Sequence, residues 1–230
     1  MSQDSLTTLG WVLHKRPVGD SSAYVVFLTQ QKGLVKARVQ GGRMPKKQSI
    51  LQPFTPLWLT FDEKKYGHYV RQVEMMAASL VLPKQNIFAA LYINELVYYL
   101  LRQHEQDDGL YQAYEATLQA LTVHESKASI EGVLRRFEWK LLDISGFQVS
   151  YVQEVDGVSW IKAQCYYHFI PGSGFTLAQQ GFLGEHILAI SEGQLYADDV
   201  LKTAKQIMRQ AIDYALNGAV IRSRALYRII

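Results

Sequence analysis

A chain of 230 residues, 48% apolar and 20% charged, with a formal net charge of +3, can bury a sizeable core as one large domain or as two or three small ones. The composition excludes a disordered majority, and the longest apolar runs, such as Leu96 to Leu101, are far too short to cross a bilayer. A polar start, Met1 to Thr8 with Asp4, is unlike a signal peptide, and one cysteine, Cys165, excludes an internal disulfide framework, so the expected location is the cytoplasm, with no membrane partner.

Charge is unevenly distributed. Residues 1–80 hold 11 Lys and Arg against 5 Asp and Glu, residues 81–145 hold 6 against 9, and residues 202–230 hold 6 against Asp213 alone. Two basic regions around an acidic middle suggest a polyanionic partner, the alternative being an ordinary solvated surface.

The first 80 residues read as strands. Ala23 to Leu28 is β-branched and aromatic, and Gln31-Lys32-Gly33 is a turn. Leu34 to Val39 alternates, with Val35, Ala37 and Val39 on one face and Lys36 and Arg38 on the other. Gly41 to Lys47 is expected to be a loop carrying Arg43, Lys46 and Lys47. Leu57, Leu59 and Phe61 alternate next, and Tyr69 to Ala77 supplies another strand. Five short strands in about 80 residues predict a small closed or partly open barrel.

After Pro83 the period becomes helical. Ile87, Leu91, Ile93, Leu96, Val97, Leu100 and Leu101 crowd most faces of one helix, which predicts deep burial. Asp107-Asp108-Gly109 ends that region, and Leu110, Tyr114, Leu118 and Leu121 mark a second helix. Ile130, Val133, Leu134, Phe137, Leu141 and Ile144 mark a third, with Gly146 as its C′ residue. Residues 147–195 are ambiguous, aromatic- and Gly-rich. A last helix is expected from Asp198 as N-cap, with Leu201, Ala204, Met208, Ala211 and Ala215 as core face and Gly218 beyond its end.

Sites of covalent chemistry are hard to find. The chain lacks a phosphate-binding G-x-x-x-x-G-K-[ST] loop, a G-x-G-x-x-G turn, a G-x-S-x-G elbow and an H-E-x-x-H helix. Asp107-Asp108 and Asp198-Asp199 sit at helix boundaries, where capping explains them. The histidines His14, His68, His104, His124, His168 and His186 show no i, i+4 pairing. Cys165-x-x-His168 supplies two zinc-type ligands where a closed site needs four, so no metal or other cofactor is expected. Nucleic-acid binding fits better: Lys36 and Arg38 beside Arg43, Lys46 and Lys47 make a phosphate track, and Tyr66, His68 and Tyr69 are candidate stacking rings. Lys202, Lys205 and Arg209, at i, i+3 and i+7, share one face of the last helix and are followed by Arg222, Arg224 and Arg228, a second candidate DNA contact.

Six segments in chain order resemble the bacterial RecO family of DNA repair and recombination proteins. They are Trp11-Val-Leu-His-Lys-Arg-Pro17, Gly41-Gly-Arg-Met-Pro-Lys-Lys47, Leu51-Gln-Pro-Phe-Thr-Pro-Leu57, Leu91-Tyr-Ile-Asn-Glu-Leu96, Leu134-Arg-Arg-Phe-Glu138 with Leu141-Leu142 and Gly146, and Arg222-Ser-Arg-Ala-Leu-Tyr-Arg228. The resemblance implies an α+β architecture: a five-stranded OB-fold in residues 1–80, then a mainly helical domain in residues 81–230 with a small irregular insertion near 147–195. It implies a non-enzymatic recombination mediator that binds single- and double-stranded DNA, anneals complementary strands and helps load recombinase onto DNA coated by single-strand-binding protein (SSB). Lys15 and Arg16 in the first segment join the candidate DNA contacts, the implied protein partners are RecR and the SSB C-terminal tail, and the implied location is the nucleoid.

Some relatives carry a four-cysteine zinc module between the helices. With Cys165 alone, residues 147–180 are expected to be a metal-free remnant. An acidic tail ending in an apolar residue with a free carboxylate needs an apolar pocket beside a cation, and Leu134 and Phe137 with Arg135 and Arg136 are the candidate receptor. Two other function classes compete: a general OB-fold RNA-binding protein, and an enzyme using residues 147–195.

Overall fold

The computed structural model describes residues 5–64, 67–103, 105–123 and 126–227. Tyr66, His104, His124 and Arg228 lie outside the described residues. The chain forms two compact units: residues 1–122 with 223–230, and residues 123–222.

The first unit holds strands β1 (Ser5–Val18), β2 (Ser22–Thr29), β3 (Gly33–Val39), β4 (Leu57–Lys64) and β5 (Gly67–Met75), closed in the order β1-β2-β3-β5-β4. This is the OB-fold barrel. Closure depends on the length of β1, whose first half pairs with β4 and whose second half pairs with β2, with an irregularity between Val12 and His14. β3 and β5 complete the ring in parallel, Ala37 opposite His68 and Arg38 opposite Tyr69. Strand alternation fills the interior with Val25, Phe27, Val35, Ala37, Val39, Leu59 and Phe61.

Between β3 and β4 the expected loop is partly a helix, α1 (Pro45–Ile50). Pro45 occupies the first turn, where its missing N–H costs nothing and its fixed φ favours the helix, so proline starts this segment where it was read as a breaker.

Helices α2 (Lys84–Leu100) and α3 (Asp108–Val123), with the short α7 (Ser223–Tyr227), complete this unit. Asp107 begins α3 rather than ending α2: its Oδ1 accepts the Leu110 N–H at 2.7 Å. Ala89, Ala90, Ile93, Leu96 and Val97 are fully buried, whereas Ile87 is 38% exposed and Leu91 half-buried, so α2 keeps a wet face. Asn94 fixes α2 to β1: its Nδ2 donates to the Val12 carbonyl at 3.4 Å, and its Oδ1 accepts the Tyr114 hydroxyl at 2.6 Å. Burial raises the Tyr114 phenol above its ordinary pKa, so it keeps the proton it donates. Gly33, at φ 59°, lets the segment after α2 approach; a Cβ there would lie 2.0 Å from the Glu105 carbonyl oxygen.

The second unit contains α4 (Lys127–Ile144), strands β6 (Tyr166–Ile170), β7 (Gly174–Ala178) and β8 (Phe182–Leu183), then α5 (Gly184–Ser191) and α6 (Asp198–Ala215). Gly146, at φ 78°, terminates α4 as expected, with the Gly146 N–H on the Asp143 carbonyl and the Phe147 N–H on that of Leu142. Past the end of α6, Asn217 at φ 45° and Gly218 at φ 92° both have positive φ, with Gly218 beyond the helix end as expected. The expected N-cap Asp198 is instead the first helical residue, where its charge favours the helix dipole. The ambiguous segment is a three-stranded sheet, β7-β6-β8, preceded by a hairpin whose Gln153 pairs with Trp160. Aromatic packing organises it: Trp139 lies 4.2 Å from Tyr151, Tyr151 5.2 Å from Phe175, and Phe175 5.1 Å from Phe169, centroid to centroid.

Candidate nucleic-acid interface

Pairing across β1, β2 and β3 places the basic residues in rows. Arg16 lies opposite Tyr24, and Tyr24 opposite Arg38. Ala23, Val25 and Phe27 point into the barrel, so Tyr24 and its two arginine neighbours face outward. The Arg16 guanidinium sits 5.1 Å from the Tyr24 ring centroid, and Arg38 Nη2 lies 3.4 Å from Ser22 Oγ. Two residues along each strand, roughly 7 Å away, a second row runs His14, Val26, Lys36.

The end of α2 borders the second row, of which His14 stays exposed. Tyr98 falls four residues after Asn94, on the same helix face, and therefore over β1 and β3. Its ring is 5.4 Å from His14 and 5.9 Å from Lys36 Nζ, and Tyr99 stands edge-on to it at 5.0 Å. Tyr99 is 43% exposed, and Arg102 follows it at the surface. Beyond the first row, the segment after β3 folds back on the β1–β2 turn. The Arg43 N–H donates to the Ser21 carbonyl and Arg43 Nη1 to the Gly19 carbonyl at 2.7 Å, while Lys47 Nζ donates to the Gln40 carbonyl at 2.8 Å. Lys46 is exposed in the first turn of α1.

Thus Arg16, Lys36, Arg38, Arg43, Lys46 and Lys47 belong to the same unit, five of them at the barrel end that carries the β1–β2 turn. None of these six has a carboxylate partner among the described residues. Lys15 differs. It lies opposite the inward-facing Val25, so it turns into the barrel rim, where Nζ donates to the Leu51 carbonyl at 2.8 Å and burial lowers its pKa. Like Arg43 and Lys47, it is engaged with a backbone carbonyl. The His68 side chain is 10% exposed, 4.0 Å from Glu63 and edge-on to Phe61, while Tyr69, like Tyr24, is half-buried.

The remaining cations differ in their surroundings. On α6, Lys202, Lys205 and Arg209 are exposed, but Lys205 pairs with Glu131 at 2.8 Å and Arg209 with Asp213 at 3.9 Å. Arg222 is exposed in the second unit; Arg224, in the first, lies 5.9 Å from the Tyr92 ring. α7 is docked by Glu95, whose Oε2 accepts both the N–H and the hydroxyl of Ser223.

The expected tail receptor does not form an open pocket. Leu134 is 3% exposed and Phe137 1%, and Arg135 is buried with Nη2 2.8 Å from Glu138 Oε1. Of the four, Arg136 alone is exposed, 5.5 Å from the Tyr196 ring. One turn along that face, Trp139 lines a shallow apolar crevice shared with Leu142, Phe147, Val149, Tyr151 and Met208. Sequence reading missed this crevice because its walls come from three segments.

It also missed a small polar cluster: His186 Nδ1 lies 2.9 Å from Thr203 Oγ1, and Nε2 3.4 Å from Asp199 Oδ2. Thr203 is buried, and the cluster ties α5 to α6. Among the described residues no three His, Cys, Asp or Glu side chains come together as a metal-ligating group, and no helix is long and apolar enough to cross a membrane.

Comparison with known proteins matches the two parts of the chain to two halves of one family. Residues 1–79 match the family model for the recombination protein O N terminus, and residues 85–224 that for its C terminus. The chain is 42% identical over 218 residues to DNA repair protein RecO of Legionella pneumophila (strain Corby), covering 94% of this chain and 95% of that one. It is 33% identical to the protein of the same name from Tolumonas auensis, covering 94% and 92%, and 32% identical to that of Vibrio vulnificus, covering 94% and 90%.

Proposed function

The chain belongs to the RecO family of recombination proteins, and from that premise we propose that it is a DNA-repair mediator that binds single- and double-stranded DNA, anneals complementary strands and helps load recombinase onto SSB-coated DNA. The carrying observation is the cluster of Arg16, Arg38, Arg43 and Lys46 on one end of a closed barrel, with no carboxylate partners among the described residues. Cations left unneutralised by the fold remain available to phosphate, and each contact releases counterions. Annealing requires that two polyanions approach each other, so distributed cations meet the need and no bond is made or broken.

RecR, and the acidic, apolar-ended tail of SSB, are the protein partners of this reading, and its location is the nucleoid. For the tail, support shifts from the buried α4 residues to Arg136, an exposed cation that can pair with a carboxylate one helical turn from the apolar crevice at Trp139. The α6 cations are a weaker candidate for DNA, because Lys205 and Arg209 already have carboxylates.

Replacing Arg16, Arg38 and Arg43 together by Ala tests the DNA reading. The salt dependence of single-strand binding should flatten by about 0.7 in logarithmic slope per lost contact, thus by about 2, with slower annealing. Unchanged affinity and slope would overturn it. Tighter binding to RNA than to DNA of the same sequence would support the general RNA-binding alternative instead.

A further inference from the structure

One outward row of the barrel sets a ring between two cations, and α2 brings two more rings to the next row. From this geometry we infer that Tyr24 and Tyr99 form a stacking platform for unpaired bases, so that this surface distinguishes single strands from duplex. The inference rests on the DNA-binding reading above and adds to it which atoms meet the bases.

Four observations carry it. Tyr24 stands between Arg16 and Arg38 on the outer face, so a ring is flanked on both sides by groups that attract phosphate. Arg16 lies over that ring at 5.1 Å, and a guanidinium plane can itself continue a stack of bases. In the next row, Lys36 and His14 converge on Tyr98, which braces Tyr99 edge-on and leaves that second ring 43% exposed. Arg102 is exposed just beyond the end of α2, and neither it nor Lys36 has a carboxylate partner among the described residues.

The surface is also held in place, which favours recognition over adventitious contact. Asn94, bonded to the Val12 carbonyl and to Tyr114, fixes α2 one turn before Tyr98. A preset ring pays little ordering entropy when a base arrives. In duplex DNA the bases are already stacked on one another and offer no free face, whereas single strands offer one per base. Tyr24 and Tyr99 therefore contribute to single-strand binding alone, while the cations contribute to both forms.

The test compares Tyr24→Leu and Tyr99→Leu with Tyr24→Phe and Tyr99→Phe. Fluorescence anisotropy at one salt concentration measures affinity for a labelled oligothymidine strand, a duplex of equal length and an abasic strand of equal length. Each Leu variant should bind the oligothymidine strand about five- to a hundred-fold more weakly, with duplex and abasic binding within about twofold of the parent. The Phe variants should retain parental affinity, because the ring and not the hydroxyl stacks. Equal losses on strand and duplex, loss in the Phe variants, or parental binding of abasic and intact strands alike would overturn the platform while leaving DNA binding intact. Failure of the parent protein to bind any of the three would remove the DNA-binding reading itself, and the platform with it.

Discussion

Lys15 and Arg16 are neighbours in sequence with the same formal charge and opposite surroundings. Strand alternation turns Lys15 inward, opposite Val25, and Arg16 outward, opposite Tyr24. Lys15 Nζ donates to the carbonyl of Leu51, a fully buried residue that ends α1. Truncating Lys15 to Ala leaves that carbonyl without its donor, and a hydrogen bond from a charged group is worth about 1.5–3 kcal/mol. Some of that is returned, because the partly buried ammonium is penalised by desolvation. A loss of about 1–2 kcal/mol is therefore expected, read as a lower urea midpoint with unchanged slope. Arg16→Ala removes an exposed side chain and one cation–π contact, worth about 0.5–1 kcal/mol, so its urea midpoint should move less. In DNA titrations the order reverses: Arg16→Ala lowers the salt slope for single strands by about 0.7, and Lys15→Ala leaves it unchanged. A Lys15→Ala protein of parental stability with a flattened salt slope would refute the inward assignment.

The other expectations concern the second unit. Arg135→Ala deprives the buried Glu138 carboxylate of a guanidinium 2.8 Å away and should cost about 3–5 kcal/mol, whereas Arg136→Ala should leave the melting temperature unchanged and weaken an SSB-tail peptide in calorimetry; the opposite pattern would restore Arg135 as the receptor cation. Asp156 in the hairpin turn accepts the Ser159 hydroxyl and the N–H groups of Ser159 and Val158, which hold its pKa below the ordinary aspartate value. The stabilisation this gives is present above the ordinary aspartate pKa and lost as pH falls through the depressed one; Ser159→Ala should raise the Asp156 pKa in an NMR titration, and an unchanged value would show that the backbone donors suffice.

Much of the fold is legible in the residues. Alternation in Leu34 to Val39, and in Leu57, Leu59 and Phe61, marks strands because one face is the barrel interior. Helical spacing marks α4 and α6 because each buries one stripe. Punctuation is less legible, because Gly, Pro and Asp have more than one use. Pro45 starts a helix inside an expected loop, Asp107 caps the start of α3 rather than the end of α2, and Asn217 shares the positive-φ position with Gly218. Residues 147–195 stayed ambiguous because their strands are short and aromatic packing, not alternation, organises them. No local pattern tells that α2, α3 and α7 share a compact unit with the barrel.

For the candidate site, the sequence shows which cations are dense but not which are available. Charge counts treat Lys15, Lys36, Lys205 and Arg135 alike. Availability depends on what the fold places opposite each: a carbonyl for Lys15, a tyrosine ring for Lys36, and a carboxylate for Lys205 and Arg135. A paired cation must give up its partner before it can meet a phosphate, so its net gain is reduced by the pair it breaks. Lys32 pairs with Glu63 at 3.2 Å, whereas Arg16, Lys36, Arg38, Arg43, Lys46 and Lys47 give up no carboxylate among the described residues. That difference concentrates the attraction for polyanions on β1, β2 and β3. It arises from cross-strand register, with Arg16, Tyr24 and Arg38 in one row although they are eight and fourteen residues apart. Register is set by the two turns joining these strands and by the irregularity after Val12. A one-residue slip in either hairpin would turn Tyr24 or Arg38 into the core, so the turns at Gly19 and Gly33 govern the site as directly as the residues that form it.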